Sequence, residues 1–110
     1  MDPILEHHYR NLAKGTAVTN EDGSVSTVYT RQVDIDGRPT LIPSVWDGEI
    51  LDEESAIERA LSSGIQWPTA ETHEELRAYD ERLHEDMRPM APEEAMQFLK
   101  MVSDARKTAF

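Results

Sequence analysis

Three Asp-Gly pairs, Asp22-Gly23, Asp36-Gly37 and Asp47-Gly48, interrupt a stretch otherwise rich in Val, Ile and Thr. Asp-Gly supplies the positive φ angles of a tight hairpin turn, so this punctuation between β-branched runs predicts antiparallel strands joined by short connections. Residues 16–46 therefore read as a three-stranded meander, with strands at about 16–19, 24–34 and 38–46. In the middle strand Val25, Thr27, Tyr29, Arg31 and Val33 alternate onto one face, and Ser26, Val28, Thr30 and Gln32 onto the other. Pro39 and Pro43 lack an N–H, which predicts an edge or bent position for the third strand. The same acids raise the question of calcium. Asp34 and Asp36 fit the first two ligand positions of an EF-hand loop, but Arg38 stands where the third ligand belongs and Pro39 where the Gly belongs. The pattern is turn chemistry.

Helical signals flank this β region. Asp2-Pro3 is a start signal, Leu5, Tyr9 and Leu12 recur at helical spacing, and Gly15 stops the run, predicting a helix over 3–13. Asp52 caps a second helix over about 53–63, carrying Ile57 and Leu61 and ending at Gly64. Thr72 and Glu75 form a capping box, followed by Leu76, Tyr79, Leu83 and Met87. After two prolines, Ala95, Phe98, Leu99, Val102 and Ala105 mark a last amphipathic helix at about 92–107. The expected fold is α+β: a small three-stranded antiparallel meander packed by helices, with N- and C-terminal helices. The chain divides into an N-terminal helix (1–15), a β-meander plus two-helix module (16–88) and a C-terminal helix (89–110). Ile57, Leu61, Leu76 and Leu83 are the expected cover for the sheet.

Composition narrows the function. The 110 residues hold no cysteine, which removes disulfides and thiolate metal sites. Net charge is −11, and residues 52–94 carry thirteen acids against four bases. A nucleic-acid binder needs clustered cations to displace counterions from phosphates, so direct nucleic-acid binding is not expected. No apolar run reaches membrane-spanning length, and the N-terminus has no secretory pattern. Neither His73-Glu74 nor His84-Glu85 completes the His-Glu-x-x-His pattern of zinc proteases, because Arg77 and Arg88 occupy the last position. His7 and His8 are adjacent and diverge on a helix, so all four histidines read as surface or partly packed side chains. No Gly-x-Ser-x-Gly and no phosphate-cradling glycine loop occurs. No catalytic residue, metal or cofactor is expected.

The segments "NEDGSVSTVYT", "DGRPTLIPSVWDGEILDEESAIERALSSG" and "TAETHEELRAYDERLHEDM" resemble a small module of virion-associated structural proteins of tailed bacteriophages. The matching positions are Asn20, Asp22 to Ser24, Ser26 to Val28, Asp36-Gly37, Leu41 to Val45, Ala56-Ile57, Gly64, Thr72, Glu74, Glu75, Leu83 and His84. The run from Thr40 to Gly64 is the most specific part, and the last helix lies outside the resemblance. The resemblance implies a non-enzymatic structural component of the virion, in the head, the neck or tail, or among the internal ejected proteins. It implies location in the virion, with assembly in the host cytoplasm, and contacts with other virion proteins as a homo-oligomer or in multiple copies. The alternative is a small acidic mimic of DNA that inhibits a host defence nuclease, of the anti-restriction or anti-CRISPR type. Its carboxylates would be spaced along one face as phosphates are. Trp46 and Trp67, which flank the first helix after the sheet, read as core anchors or as a partner-facing hot spot, since Trp is favoured at interface centres; with Phe98, Leu99 and Val102 on the last helix they are the candidate partner-binding residues. That helix reverses the charge trend through Lys100, Arg106 and Lys107, which suits it to the acidic face of an adjacent copy.

Overall fold

The computed structural model describes residues 1–108, with side chains through residue 105. Its elements are α1 (Pro3–Lys14), β1 (Val18–Thr19), β2 (Val25–Ser26), β3 (Thr30–Ile35), β4 (Arg38–Pro43), β5 (Val45–Trp46), β6 (Glu49–Ile50), α2 (Glu53–Ser62), α3 (His73–Asp86) and α4 (Pro92–Thr108). The helix ends follow local chemistry. The Asp2 carboxylate accepts from the Ile4 N–H at 2.8 Å, Asp52 from Ser55 at 2.8 Å, and the Thr72 hydroxyl from Glu75 at 3.1 Å. Gly15 closes α1 in the left-handed conformation, and the Thr16 N–H reaches back to the Asn11 carbonyl.

The α+β class is as expected, but the meander is not present. The strands form three separate antiparallel pairs, β1–β2, β3–β4 and β5–β6. Each is closed across one of the Asp-Gly pairs. Asp36 and Gly37 have φ of 52° and 76°, and Asp47 and Gly48 have 51° and 82°, the double positive φ that a two-residue type I′ turn demands. The expected middle strand, 24–34, breaks at Thr27–Tyr29. There the backbone serves other partners: the Thr27 carbonyl accepts from Asn11 of α1, and the Val28 carbonyl accepts from the N–H groups of Ser44 and Val45. Tyr29 then turns to φ 43°, which reverses the alternation. Val28 and Val33 point inward, while Val25 and Tyr29 are exposed.

Pro39 and Pro43 do not mark an edge. β4 pairs with β3 on one side and with the segment Pro68–Ala70 on the other, through Leu41 N–H to the Pro68 carbonyl (2.9 Å) and Ala70 N–H to the Pro39 carbonyl (3.1 Å). Backbone N–H groups along an antiparallel strand alternate sides, so the nitrogens of Pro39 and Pro43 point the same way as that of Leu41, away from β3. Neither proline removes a bond from the β3–β4 ladder.

The core forms around β4. Leu41 and Ile42 are fully buried, as are Ile4 of α1, Val28 and Leu76 of α3, with Val33, Trp67 and Leu83 buried beside them. α2 departs from expectation. Its Ala56 and Ala60 face packs inward, Ile57 is only partly buried, and Leu61 stands 58 % exposed. Residues 57 and 61 lie about 100° around the helix from 56 and 60, so seating the small face turns the larger pair outward. The small face lets the helix come close enough for the Trp67 indole N–H to bond the Ala60 carbonyl at 3.1 Å. α4 lies along α1, where Ala95 is buried and the Phe98 ring meets Tyr9 at 4.8 Å between centroids. The side chains of Arg106 and Lys107, expected to contribute to its positive end, lie outside the described residues.

Candidate functional site

One edge of α1 organises the molecule. His7, His8 and Asn11 are all buried, deeper than the surface or partly packed positions expected for the histidines. Because adjacent helix residues diverge, they reach different elements. The Val45 carbonyl can only accept, so His7 Nε2 carries a proton and donates to it at 2.6 Å. Asn11 Nδ2 donates to the same carbonyl at 3.2 Å and to that of Thr27 at 2.6 Å. His8 Nε2 donates to the Arg88 carbonyl at 2.9 Å, leaving Nδ1 to accept from the Thr27 hydroxyl at 2.6 Å. Both rings are held in the Nε2–H tautomer, and together with Asn11 they tie α1 to β5, to the Thr27–Tyr29 break and to the segment after α3. His73 and His84 are exposed and lie beside Asp34 (2.8 Å) and Asp80 (3.2 Å).

Burial pushes the pKa of both buried histidines below the usual 6.5, against the raising effect of their carbonyl partners. The cations of Arg10, Lys14 and Arg59 add to the shift at His7, and His84 adds to it at His8. A histidine with a depressed folded pKa binds fewer protons folded than unfolded between the two values. Its contribution is fully present above about pH 6.5 and is lost as pH falls from there toward the folded pKa. The chain should therefore lose stability as pH falls below about 6.5. A His7→Gln/His8→Gln variant, less stable at pH 7.5, should show a flatter profile over that window in urea titrations. Parallel profiles for the two proteins would refute the assignment.

The two tryptophans come together around His7. Its ring is 4.5 Å from Trp46 and 6.1 Å from Trp67, and the two indoles meet edge to face at 6.2 Å. Trp67 is buried in the core. Trp46 is half-buried, with the Arg59 guanidinium 5.0 Å above its ring. Arg59 in turn holds Asp47 of the β5–β6 turn at 2.7 Å. A recess of about 130 Å³ opens here, lined in part by Arg10, Lys14, Trp46 and Ile65. Phe98, Leu99 and Val102 form a second group on α4, each half-buried. Leu99 and Val102 line a recess of about 410 Å³ with Arg10, Lys14 and Lys100. Arg10 and Lys14 border both recesses, so the two groups lie on either side of one exposed edge of α1.

Sequence reasoning missed a third surface. Tyr29 holds φ 43° with its ring half exposed, and the Arg31 guanidinium lies 5.6 Å from the ring. Val25, 56 % exposed, stands beside it, and both border an open recess of about 400 Å³ with His8, His84, Met87 and Pro89. A bulky side chain at positive φ costs on the order of 1–3 kcal/mol and persists only where its surroundings impose it. Nothing in the local sequence signals it, since the residue type favours an extended strand.

Among the described residues no group of three or more His, Asp or Glu side chains is placed to hold a metal ion. No helix among them is long and apolar enough to cross a membrane. No protein-family model matches the chain, and no curated protein and no solved structure shows significant similarity to it.

Proposed function

We propose that this chain is a non-enzymatic structural component of a tailed-phage virion, in the head, the neck or tail, or among the internal ejected proteins, and that it acts through contacts with other virion proteins. The observation that carries the contact role is the exposed pair Val25 and Tyr29 on the rim of an open recess, with Tyr29 held in a strained conformation. Such strain clusters at active sites, ligand clamps and switch regions. The phage assignment is supported by the resemblance over residues 9–88. Its most specific run, Thr40 to Gly64, covers most of β4, the β5–β6 hairpin and α2, and includes Ser44, whose N–H bonds the carbonyls of Val28 and Tyr29. The protein would be assembled in the host cytoplasm and reside in the particle.

Two measurements test this. Mass spectrometry of purified particles should detect the chain, and its absence from clean virions would overturn the reading. Tyr29→Asn separates contact from folding, because Asn tolerates the left-handed region. The variant should melt at or above the wild-type temperature yet enter particles at least tenfold less well. Normal incorporation would show that this rim is not the contact.

The reading as an acidic mimic of DNA rests on α3, where exposed Glu74, Glu81 and Glu85 share one helical stripe. Retention of a purified restriction or surveillance nuclease by the immobilised protein, lost on Glu81→Lys/Glu85→Lys, would favour it over the virion role.

A further inference from the structure

The groove between α1 and α4 runs against the charge of the rest of the molecule. In a chain of net charge −11, it gathers Arg10, Lys14 and Lys100, against the single acid Glu6, around the half-buried Leu99 and Val102, in a recess of about 410 Å³. Arg10 is partly engaged with Glu6 at 3.1 Å, while Lys14 and Lys100 are exposed. The opposite character appears on α2. Seating Ala56 and Ala60 in the core turns Glu54, Glu58 and Leu61 outward, and their spacing of four and three places them on one stripe. Ile65, 45 % exposed, lies just beyond the helix and borders the same recess as Leu61. A lone exposed leucine on a surface needs no explanation. Here two exposed apolar side chains follow two acids, and the groove offers two apolar side chains among three cations and one acid, Glu6, which is itself engaged by Arg10.

We propose that the α1–α4 groove of one copy receives the α2 stripe of a second copy, with Leu61 seated on Leu99 and Val102, and with Glu54 and Glu58 facing Lys14, Lys100 and Arg10. The two surfaces differ, so the contact is heterologous and leaves a free groove and a free stripe at the ends of each pair. Repetition from copy to copy suits a protein present in many copies, but the contact stands independently of the virion reading. Like net charges oppose encounter at very low salt. At roughly 0.15 M salt the screening length of about 8 Å damps that repulsion while ion pairs in contact survive, and at about 1 M those pairs weaken as well.

Sedimentation equilibrium of the purified chain tests the contact. At about 0.15 M salt, the weight-average mass should rise with concentration above the 12.5 kDa of one chain. Lys14→Glu/Lys100→Glu and Glu54→Lys/Glu58→Lys should each sediment as monomers, with unchanged circular dichroism, because all four side chains are exposed. Mixed in equal amounts, the two variants present opposite charges at both surfaces and should associate again. Leu61→Asp should weaken association at least tenfold. A wild-type protein that stays at 12.5 kDa at every concentration would overturn the proposal. So would a charge-reversed variant that associates like wild type, or a mixture that remains monomeric. Since none of these readouts uses particles, failure here leaves the virion reading to its own test.

Discussion

Asn11→Leu is expected to destabilise the chain by about 2–4 kcal/mol, because each buried polar group left without a partner costs roughly 1–3 kcal/mol. Asn11 is buried and uses both ends of its amide. Nδ2 donates to the Thr27 and Val45 carbonyls, and Oδ1 accepts from the Thr16 hydroxyl at 2.8 Å. Leucine fills a similar volume but leaves the Thr27 carbonyl bare, while Val45 keeps its bond from His7. Against the 5–15 kcal/mol typical of small domains, that loss is a large fraction of stability. Asn11→Asp sharpens the test. An ionised carboxylate would face two carbonyl oxygens, so this variant should be the less stable of the two at pH 7 and should recover relative to Asn11→Leu as pH falls and the acid can donate. Urea denaturation at two pH values measures both effects. A loss below about 1 kcal/mol for the leucine variant would show that the amide is not what ties α1 to the hairpins.

Leu41→Ala should cost about 2–5 kcal/mol, whereas Leu61→Ala should fall within about 0.5 kcal/mol of wild type. Leu41 is fully buried at the centre of β4, with the Pro68–Ala70 segment on one side and β3 on the other, and little freedom to collapse around a void. Leu61 is 58 % exposed and loses few contacts on truncation. Thermal melts of the two variants give the comparison directly. Similar losses would mean that α2 seats its leucine face and not its alanine face.

The contrast between these two leucines marks where local reasoning stops. Hydrophobic spacing placed α2 correctly and its stop signal was nearly right, but periodicity favours the larger residues for the buried stripe. Close approach of the helix, with the Trp67 indole bonded to the Ala60 carbonyl, selected the alanines instead. The β region shows the same limit. The three Asp-Gly pairs were legible as turns, and at Asp36-Gly37 and Asp47-Gly48 the pair specifies its own φ angles, yet the strands around them were joined wrongly and no strand was expected after Gly48. The break at Thr27–Tyr29 depends on Asn11 and Ser44, which are distant in sequence and whose roles exist only once α1 and β4 are in place. Among the candidate contact residues, the two tryptophans do meet, although one of them is core. Phe98 engages Tyr9 of its own chain, and the exposed Tyr29 and Val25 carried no signal that distinguished them from strand residues.

What the sequence determined by itself was every feature whose cause lies within about four residues: the caps at Asp2, Asp52 and Thr72, the left-handed stop at Gly15 and the tight turns at Asp36-Gly37 and Asp47-Gly48. These follow from backbone sterics and short hydrogen bonds that need no tertiary partner. Tertiary structure alone decided which carbonyls the α1 histidines and Asn11 would satisfy, which face of α2 would be buried, and that β4 would stand between two neighbours despite its prolines. It also decided that cations from α1 and α4 would share a groove. In each of these the outcome was set by competition for a limited interior, where a buried polar group must find a partner and only a small side chain permits close approach.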